Sequence, residues 1–541
     1  MKDKREKLIY ILLSVMMIFI AYFPHLQSEM IQGSDDWFHF HRIYALAAEL
    51  KQGIFPVKLH HLAGFGYGYG VGFFYSNFFL YIPAMLINIL NISLDDAYRV
   101  FVLMVYSGIY CAMFYCIYRI AEKKEFAFGA AAIYLFTNKV MEAFYTNMAL
   151  GQMCAFVFFP MAIVGMYLFL EKGEDTILLM LGFIGLIYSH TISTFLAFVI
   201  CLILIVFEFR VLIMDFNKMR KIIVSVCITS LVTAAFWLPM FEQMKAQVLK
   251  VKAPWTTSEE NVLNYAYIIK SSGGLGYVVV GLLIFNIIMF FKSLIKREKK
   301  ENKFLFISII MVLLTMYKPF WHFMNVDLNI KFLQFPSRLL APTTVIIIVD
   351  TIICLKEMDI KRLRIKLLAI GVLISSIAIS YSGFSEQYFD VSNEHINKVK
   401  NNEIAAFGAG EEWLPIETDR SEIIDAEIAI DNEGNQITGE KTKGYSRYFF
   451  VADLEKKYYN LPYIWYKGYC ALDDNGNRYE LSQNKETGML QVYMPPNASG
   501  AARIEIYYEG TKYQRLAYLS TMIGIIVLGI YVLIHKNETK K

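Results

Sequence analysis

Two adjacent carboxylates, Asp35 and Asp36, stand in the run Gly33-Ser34-Asp35-Asp36-Trp37-Phe38-His39-Phe40-His41-Arg42. They follow the first hydrophobic run, Leu8 to Phe23, where a chain has just crossed a membrane. Ser34 reads as a helix N-cap, which puts both acids in the first turn. The positive helix end favours their ionised forms, as do Arg42 and His39 one or two turns on. Acids held ionised suit a base or a metal ligand better than a proton donor. No cofactor is demanded by these residues, and a divalent cation at Asp35 and Asp36 is the candidate. Further polar groups recur on the same side of the apolar runs: Lys58 and His60, then Glu142, Tyr145 and Gln152, then His190, then Gln334 and Arg338. Ionisable groups at membrane depth mark function more often than packing. The guanidinium of Arg338 matches a phosphate in two-pronged fashion. His60-His61 could ligate a metal, although neighbouring histidines rarely share one ion.

The acids need an element to hold them. Trp37, Phe40, Tyr44, Ala47 and Leu50 form an apolar stripe at helical spacing, with Asp35, His39, Arg42 and Glu49 on the opposite face. The spacing predicts a helix to about Lys51 that lies on the membrane surface. Next come Gly64, Gly66, Gly68 and Gly70, which follow no strand and read as a tight loop, not a nucleotide-binding fingerprint.

The chain has 541 residues, 56% of them hydrophobic and only 18% charged. A soluble chain would carry about a quarter charged residues, so repeated apolar runs mark a polytopic membrane protein. The net charge of +4 gives no reason to expect a nucleic-acid partner. The N-terminal run ends in the bulky Ala21-Tyr22-Phe23-Pro24 and reads as a retained span, not a cleaved signal. Basic clusters at Arg119 to Lys124, Arg210 to Lys221, Lys296 to Lys300 and Lys361 to Lys366 stay on one side if the apolar run Phe73–Leu90 dips into the membrane without crossing. The result is a mainly α bundle of about twelve spans with both termini cytoplasmic. Residues 1–382 then form the membrane domain, with a large first outer loop over 24–99. Residues 383–514 alternate like strands and carry the hairpin turn Asp473-Asp474-Asn475-Gly476-Asn477, which predicts a small extracytoplasmic β domain. Residues 515–541 are the last span and a cytoplasmic tail. Cys470 is alone in the hydrophilic part, so no disulfide or zinc-type cysteine pair is expected there.

These stretches together resemble the GT-C fold of membrane glycosyltransferases, with an acidic pair on the first outer loop and a helix after it. More closely, the chain resembles the bacterial 6-pyruvoyl-tetrahydropterin-synthase-related, YfhO-like multi-pass proteins. The resemblance rests on Gly33-Ser34-Asp35-Asp36 with Phe38-His39, on Gly64-Phe65-Gly66-Tyr67 with Phe74-Tyr75, and on Gly151-Gln152, Ser189-His190 and Gln334-Phe335-Pro336-Ser337-Arg338. Glu411-Glu412-Trp413-Leu414-Pro415, Asn460-Leu461-Pro462-Tyr463 and Lys467-Gly468-Tyr469 extend it into the tail. The name describes no chemistry here, because a pterin synthase uses a histidine zinc site that this sequence lacks. Relatives carry an acid where Gln152 stands, and Glu142 is the substitute within reach. The resemblance implies an enzyme of the cell membrane that moves a sugar from a polyprenyl-phosphate donor to an extracytoplasmic glycan, lipid or protein. It implies Asp35 and Asp36 as catalytic residues. His39, Arg42, Lys58, His60, Glu142, Tyr145, Gln152, His190, Gln334 and Arg338 would bind substrate. A transporter or flippase for an envelope lipid or glycan, or a non-catalytic assembly protein, are the competing classes.

Overall fold

The computed structural model describes residues 2–296, 302–356, 358, 362–408, 410–423 and 426–538. Arg297, Glu298, Lys299, Lys300 and Lys361 of the basic clusters, with Lys540 and Lys541, lie outside the described residues. The apolar runs fold as helices, the form in which a segment can satisfy its own backbone groups without water. Six are long and apolar enough to cross a membrane: Lys4–Leu26, Leu94–Ala121, Leu150–Lys172, Gly276–Lys296, Pro336–Lys356 and Lys512–His535. Two bent pairs raise that number to eight if each is one span. Phe216–Val232 turns by 71° into Ala234–Ala246, and Lys303–Met316 by 78° into Lys318–Val326. At the first bend the Ala235 N–H is taken up by Thr521 Oγ1 at 2.8 Å, and the second bend immediately precedes Pro319. The other apolar runs form shorter helices, among them Thr176–Ser189 and Thr191–Phe207, which His190 separates. The expected twelve runs are therefore helical, but six to eight are candidate spans by length and composition.

The run Phe73–Leu90 is broken into Val71–Phe74 and Tyr81–Leu90. Ten residues of helix reach about 15 Å, half of a hydrocarbon core of about 30 Å. By length alone that helix falls short of a span.

The helix after the acidic pair runs from Asp36 to Lys51, with Asp35 in the N-cap position and no side-chain cap bond. It does not rest on a surface. Phe40, Ile43, Leu46 and Ala47 join the core of the helical bundle, and the Phe40 ring meets Tyr98 edge-on at 5.1 Å. Its polar residues His39, His41, Arg42 and Glu49 are buried as well. Two of them have protein partners: Glu49 accepts from the backbone N–H of His61 and contacts its Nδ1, both at 2.9 Å, and Arg42 donates to the Tyr75 and Ser76 carbonyls. The amphipathic pattern is real, but the polar face looks at folded loop instead of water.

Nine strands follow between Ile428 and Tyr508: β1 Ile428–Asp431, β2 Gln436–Thr438, β3 Glu440–Thr442, β4 Arg447–Asp453, β5 Tyr458–Ile464, β6 Tyr469–Asp473, β7 Glu480–Gln483, β8 Met489–Tyr493 and β9 Ala501–Tyr508. Antiparallel pairing builds one sheet in the order β2-β1-β5-β8-β7 and another in the order β3-β4-β9-β6. Tyr448, Phe450, Tyr459, Tyr463, Val492, Ile504 and Ile506 fill the space between them, as alternation along each strand requires. Residues 385–400 belong instead to the helical part, where Ile396 and Val399 enter its core. The glycine-rich loop joins the two parts. Gly64 has φ of +62°, and a Cβ there would lie 2.5 Å from the Phe407 ring, so only glycine permits both the turn and the contact.

Candidate functional site

Three charged groups from distant parts of the chain converge beside the first turn of the Asp36–Lys51 helix. Asp35 comes from the first loop, Arg338 from the start of the Pro336–Lys356 helix, and Glu412 from a strap ahead of the first strand. The Asp35 carboxyl is pushed up to about 6, chiefly by burial, with the Glu412 and Asp36 carboxylates adding to the rise and the Arg338 guanidinium opposing it. Burial likewise raises Glu412, against the pull of Arg338. The three charges thus act on one another, yet among the described residues no ion pair of 4.0 Å or less joins them.

Each is held by its backbone. Ser34 and Asp35 donate their N–H groups to the carbonyls of Thr146 and Asn147, both at 3.0 Å, which fixes the approach to the helix. Gly33 is required there, because a Cβ would sit 2.6 Å from Met148 Cγ. The strap around Glu412 is pinned by backbone bonds from Lys250 to Leu414 at 3.0 Å and from Val251 to Glu412 at 2.9 Å. Trp413 stacks on Phe74 at 4.8 Å, and its carbonyl accepts from the Tyr466 hydroxyl at 2.8 Å. Glu411, the neighbouring acid, is spent on Lys250 at 2.5 Å and on Arg420. Arg338 Nη1 donates to the Leu333 carbonyl at 2.9 Å, with Gln334 Oε1 at 3.5 Å, and its guanidinium lies over the Phe335 ring at 5.0 Å. That leaves Nε and Nη2 of the fork for a ligand.

Neutral groups surround the charges. The His190 Nδ1 accepts from the Ser193 N–H at 3.3 Å and caps the following helix, which leaves Nε2 to carry the proton. The rings of His190 and His39 lie 5.9 and 5.8 Å from that of Tyr75. Burial holds His39 well below its ordinary range, hence neutral, and pushes the Tyr75 phenol up to about 12. The Tyr75 hydroxyl accepts from the Gly151 N–H at 3.1 Å. Gln152, next in the chain, is half-buried at this level.

The remaining sequence candidates have partners elsewhere in the protein. Asp36 is buried and its two carboxylate oxygens contact His395 Nδ1 at 2.8 and 2.9 Å, tying the helix to Glu394–Lys400. Arg42 donates to the carbonyls of Tyr75 and Ser76 at 3.0 Å and to Asn77 Oδ1 at 3.2 Å, and so shapes the loop instead of facing a ligand. His60 Nε2 meets Asn77 Nδ2 at 2.9 Å. Tyr145 stacks on His25 at 4.9 Å and meets Tyr388 edge-on at 4.5 Å. Glu142 pairs with Lys139. Lys58 lines a cavity apart from this cluster, with its amine 2.9 Å from the Ala235 carbonyl.

The expectation that Asp35 and Asp36 are held at low pKa differs from the structure. Arg42 is turned toward residues 75–77, and burial raises both carboxyls. The Asp36 carboxylate is taken up by His395, while the Asp35 carboxyl interacts with Glu412 and Arg338. Among the described residues no group of three His, Cys, Asp or Glu side chains is gathered as a metal ion would need. Glu412 was not among the candidates singled out from the sequence. Its signal was the run Glu411-Glu412-Trp413 between Gly410 and Pro415, an acidic and aromatic patch in an otherwise hydrophilic tail.

A helical membrane protein with a polar cluster where apolar helices meet a small antiparallel β region is the class these features define. The chain belongs to the membrane-protein family described as the 6-pyruvoyl-tetrahydropterin synthase related domain, whose model matches residues 73–384. The matched region contains Tyr75, His190 and Arg338, while Asp35 and Glu412 flank it on either side. No curated protein matches the chain.

Proposed function

We propose that the protein is a membrane glycosyltransferase that moves a sugar from a polyprenyl-phosphate donor to a hydroxyl of an acceptor outside the cytoplasm. The observation that carries this reading is the convergence of Asp35, Glu412 and Arg338 without direct pairing. A carboxyl at about 6 is well matched to general-base work near neutral pH. In the proposed reaction Asp35 takes the proton of the acceptor hydroxyl as its oxygen bonds to the sugar's anomeric carbon. The bond from that carbon to the phosphate breaks, and polyprenyl phosphate leaves with the electron pair. Arg338 balances the phosphate charge through Nε and Nη2. Glu412 keeps Asp35 basic and stands where it can accept from a sugar hydroxyl. Trp413, Phe38 and Phe335 supply ring faces for a sugar or an isoprenoid chain.

The test is purified protein in lipid with a set of polyprenyl-phosphate sugars, followed by mass spectrometry of released polyprenyl phosphate and of glycosylated acceptor. Product with one donor class supports the reading. Substrate movement across a vesicle membrane without a new glycosidic bond would make the protein a transporter. Donor binding with neither outcome would leave an assembly role.

A further inference from the structure

A polar cavity of about 400 Å³ lies where the loop after Lys51, the β3–β4 turn, the end of β9 and the first turns of the Lys512–Glu538 helix meet. Pockets for small ligands fall in the range of about 300–1,000 Å³. Its charged wall consists of Lys58, Lys443, Arg447 and Glu509. Two of these are already balanced. Arg447 pairs with Glu505, and Glu509 takes Arg478 at 3.1 Å and Arg515 at 3.3 Å. Lys58 and Lys443 have no carboxylate within 4.0 Å among the described residues.

Lys58 spends one donor, on the Ala235 carbonyl at 2.9 Å. That carbonyl is open because the residue four places on is Pro239, inside the same helix, which has no N–H to give. Two ammonium protons remain, with the Tyr518 ring 5.9 Å away. Burial pushes the Lys58 amine down to about 8. Lys58 is half-buried, and an ammonium drawn partly away from water without a counter-ion is costly, a cost that an anion in the cavity offsets. The lip of the cavity is apolar and wet: Phe55 lines it at 73% exposure. Tyr513 and Leu516 are exposed close by, where the last candidate span begins.

We propose that this cavity is an anion site that takes a phosphate group, with Lys58 and Lys443 as its cations, separate from the Asp35–Glu412–Arg338 cluster. A phosphate ester is the shared chemistry of two sources. One is the headgroup of an acidic membrane lipid entering over Phe55, and the other is a soluble phosphate compound. The inference does not depend on the transferase reading.

The experiment uses the full chain in nanodiscs. One arm mixes phosphatidylglycerol into phosphatidylcholine and counts retained lipid by native mass spectrometry. The other titrates glycerol phosphate into neutral nanodiscs by calorimetry at low salt. Wild type is compared with Lys58→Gln, Lys443→Gln and the double variant, and with Lys51→Gln as an exposed control. Lys443 lies on an exposed turn, so its replacement leaves packing intact. Saturable binding in either arm, weakened tenfold or more by Lys443→Gln and by Lys58→Gln but not by Lys51→Gln, supports the site, and the arm in which it occurs names the source. Binding that is unchanged in the double variant, or absent from both arms, overturns it.

Discussion

Replacing Asp35 by Asn should make the protein more stable at neutral pH, although it removes the proposed base. The Asp35 carboxyl rises from 3.8 to about 6 on folding, mainly through burial. An acid raised in this way binds a proton in the folded state that the unfolded chain has already released. Folding stability therefore falls as pH rises from the unfolded value to the folded one, and above about 6 the whole penalty is present. At about 1.4 kcal/mol for each unit, the penalty is about 3 kcal/mol. Asn keeps the shape and carries no charge, so it lifts that penalty above pH 6 and changes little near pH 4. For a chain of this length the gain amounts to a rise in Tm on the order of 3 °C. Intrinsic tryptophan fluorescence in a detergent–lipid mixture, scanned with temperature at both pH values, reads it directly. A variant that melts with the wild type at both pH values, or that gains equally at both, would show that Asp35 is not held as a strained, raised carboxyl.

Glu412→Gln removes a charge that raises Asp35, so the acid limb of donor turnover should move to lower pH. Arg338→Gln removes the opposing cation and should move the limb up, and a pH–rate profile checks both. Arg42→Lys loses the planar fork that holds Tyr75, Ser76 and Asn77, at a cost of about 2 kcal/mol or more in thermal unfolding; an unchanged melting temperature would rule out that role. Asp36→Asn and His395→Ala break the same contact, so a double-mutant cycle should give a coupling of about 1–3 kcal/mol, and additive losses would refute the link.

Asp35 and Arg338 were legible as candidates because each is a charge beside an apolar run, where solvation alone explains it poorly, and the fold brings them together. Arg42 was not separable from them. Its sequence neighbours resemble theirs, and only the fold reveals that the loop at residues 75–77 uses its donors. Glu412 was hidden for the opposite reason. It stands in a hydrophilic stretch where an acid is unremarked, and pairing of residues 248–251 with the strap brings it to the cluster. The helical character and the alternating strands followed from periodicity, while the expectation that Phe73–Leu90 does not cross rested on where the basic clusters fall. The number of spans did not, since breaks at Thr233, His190 and Tyr317 depend on packing and on prolines. The burial of the Asp36–Lys51 polar face was equally invisible, because its cover is a folded loop, with His61 on Glu49 and residues 75–77 on Arg42, and His395 closes on Asp36 from more than three hundred positions on.

The central claim is that Asp35 acts on the acceptor while Arg338 holds the donor phosphate, and a split between binding and turnover tests it most directly. Polyprenyl-phosphate sugar is bound to wild type, Asp35→Asn and Arg338→Ala in lipid, and donor affinity and single-turnover release of polyprenyl phosphate are measured on the same samples. Asp35→Asn should bind donor as wild type does and lose turnover on the order of a hundredfold or more. Arg338→Ala should lose donor affinity, with Arg338→Lys recovering part of it. Turnover that survives Asp35→Asn, or donor affinity that is indifferent to Arg338, would contradict the account.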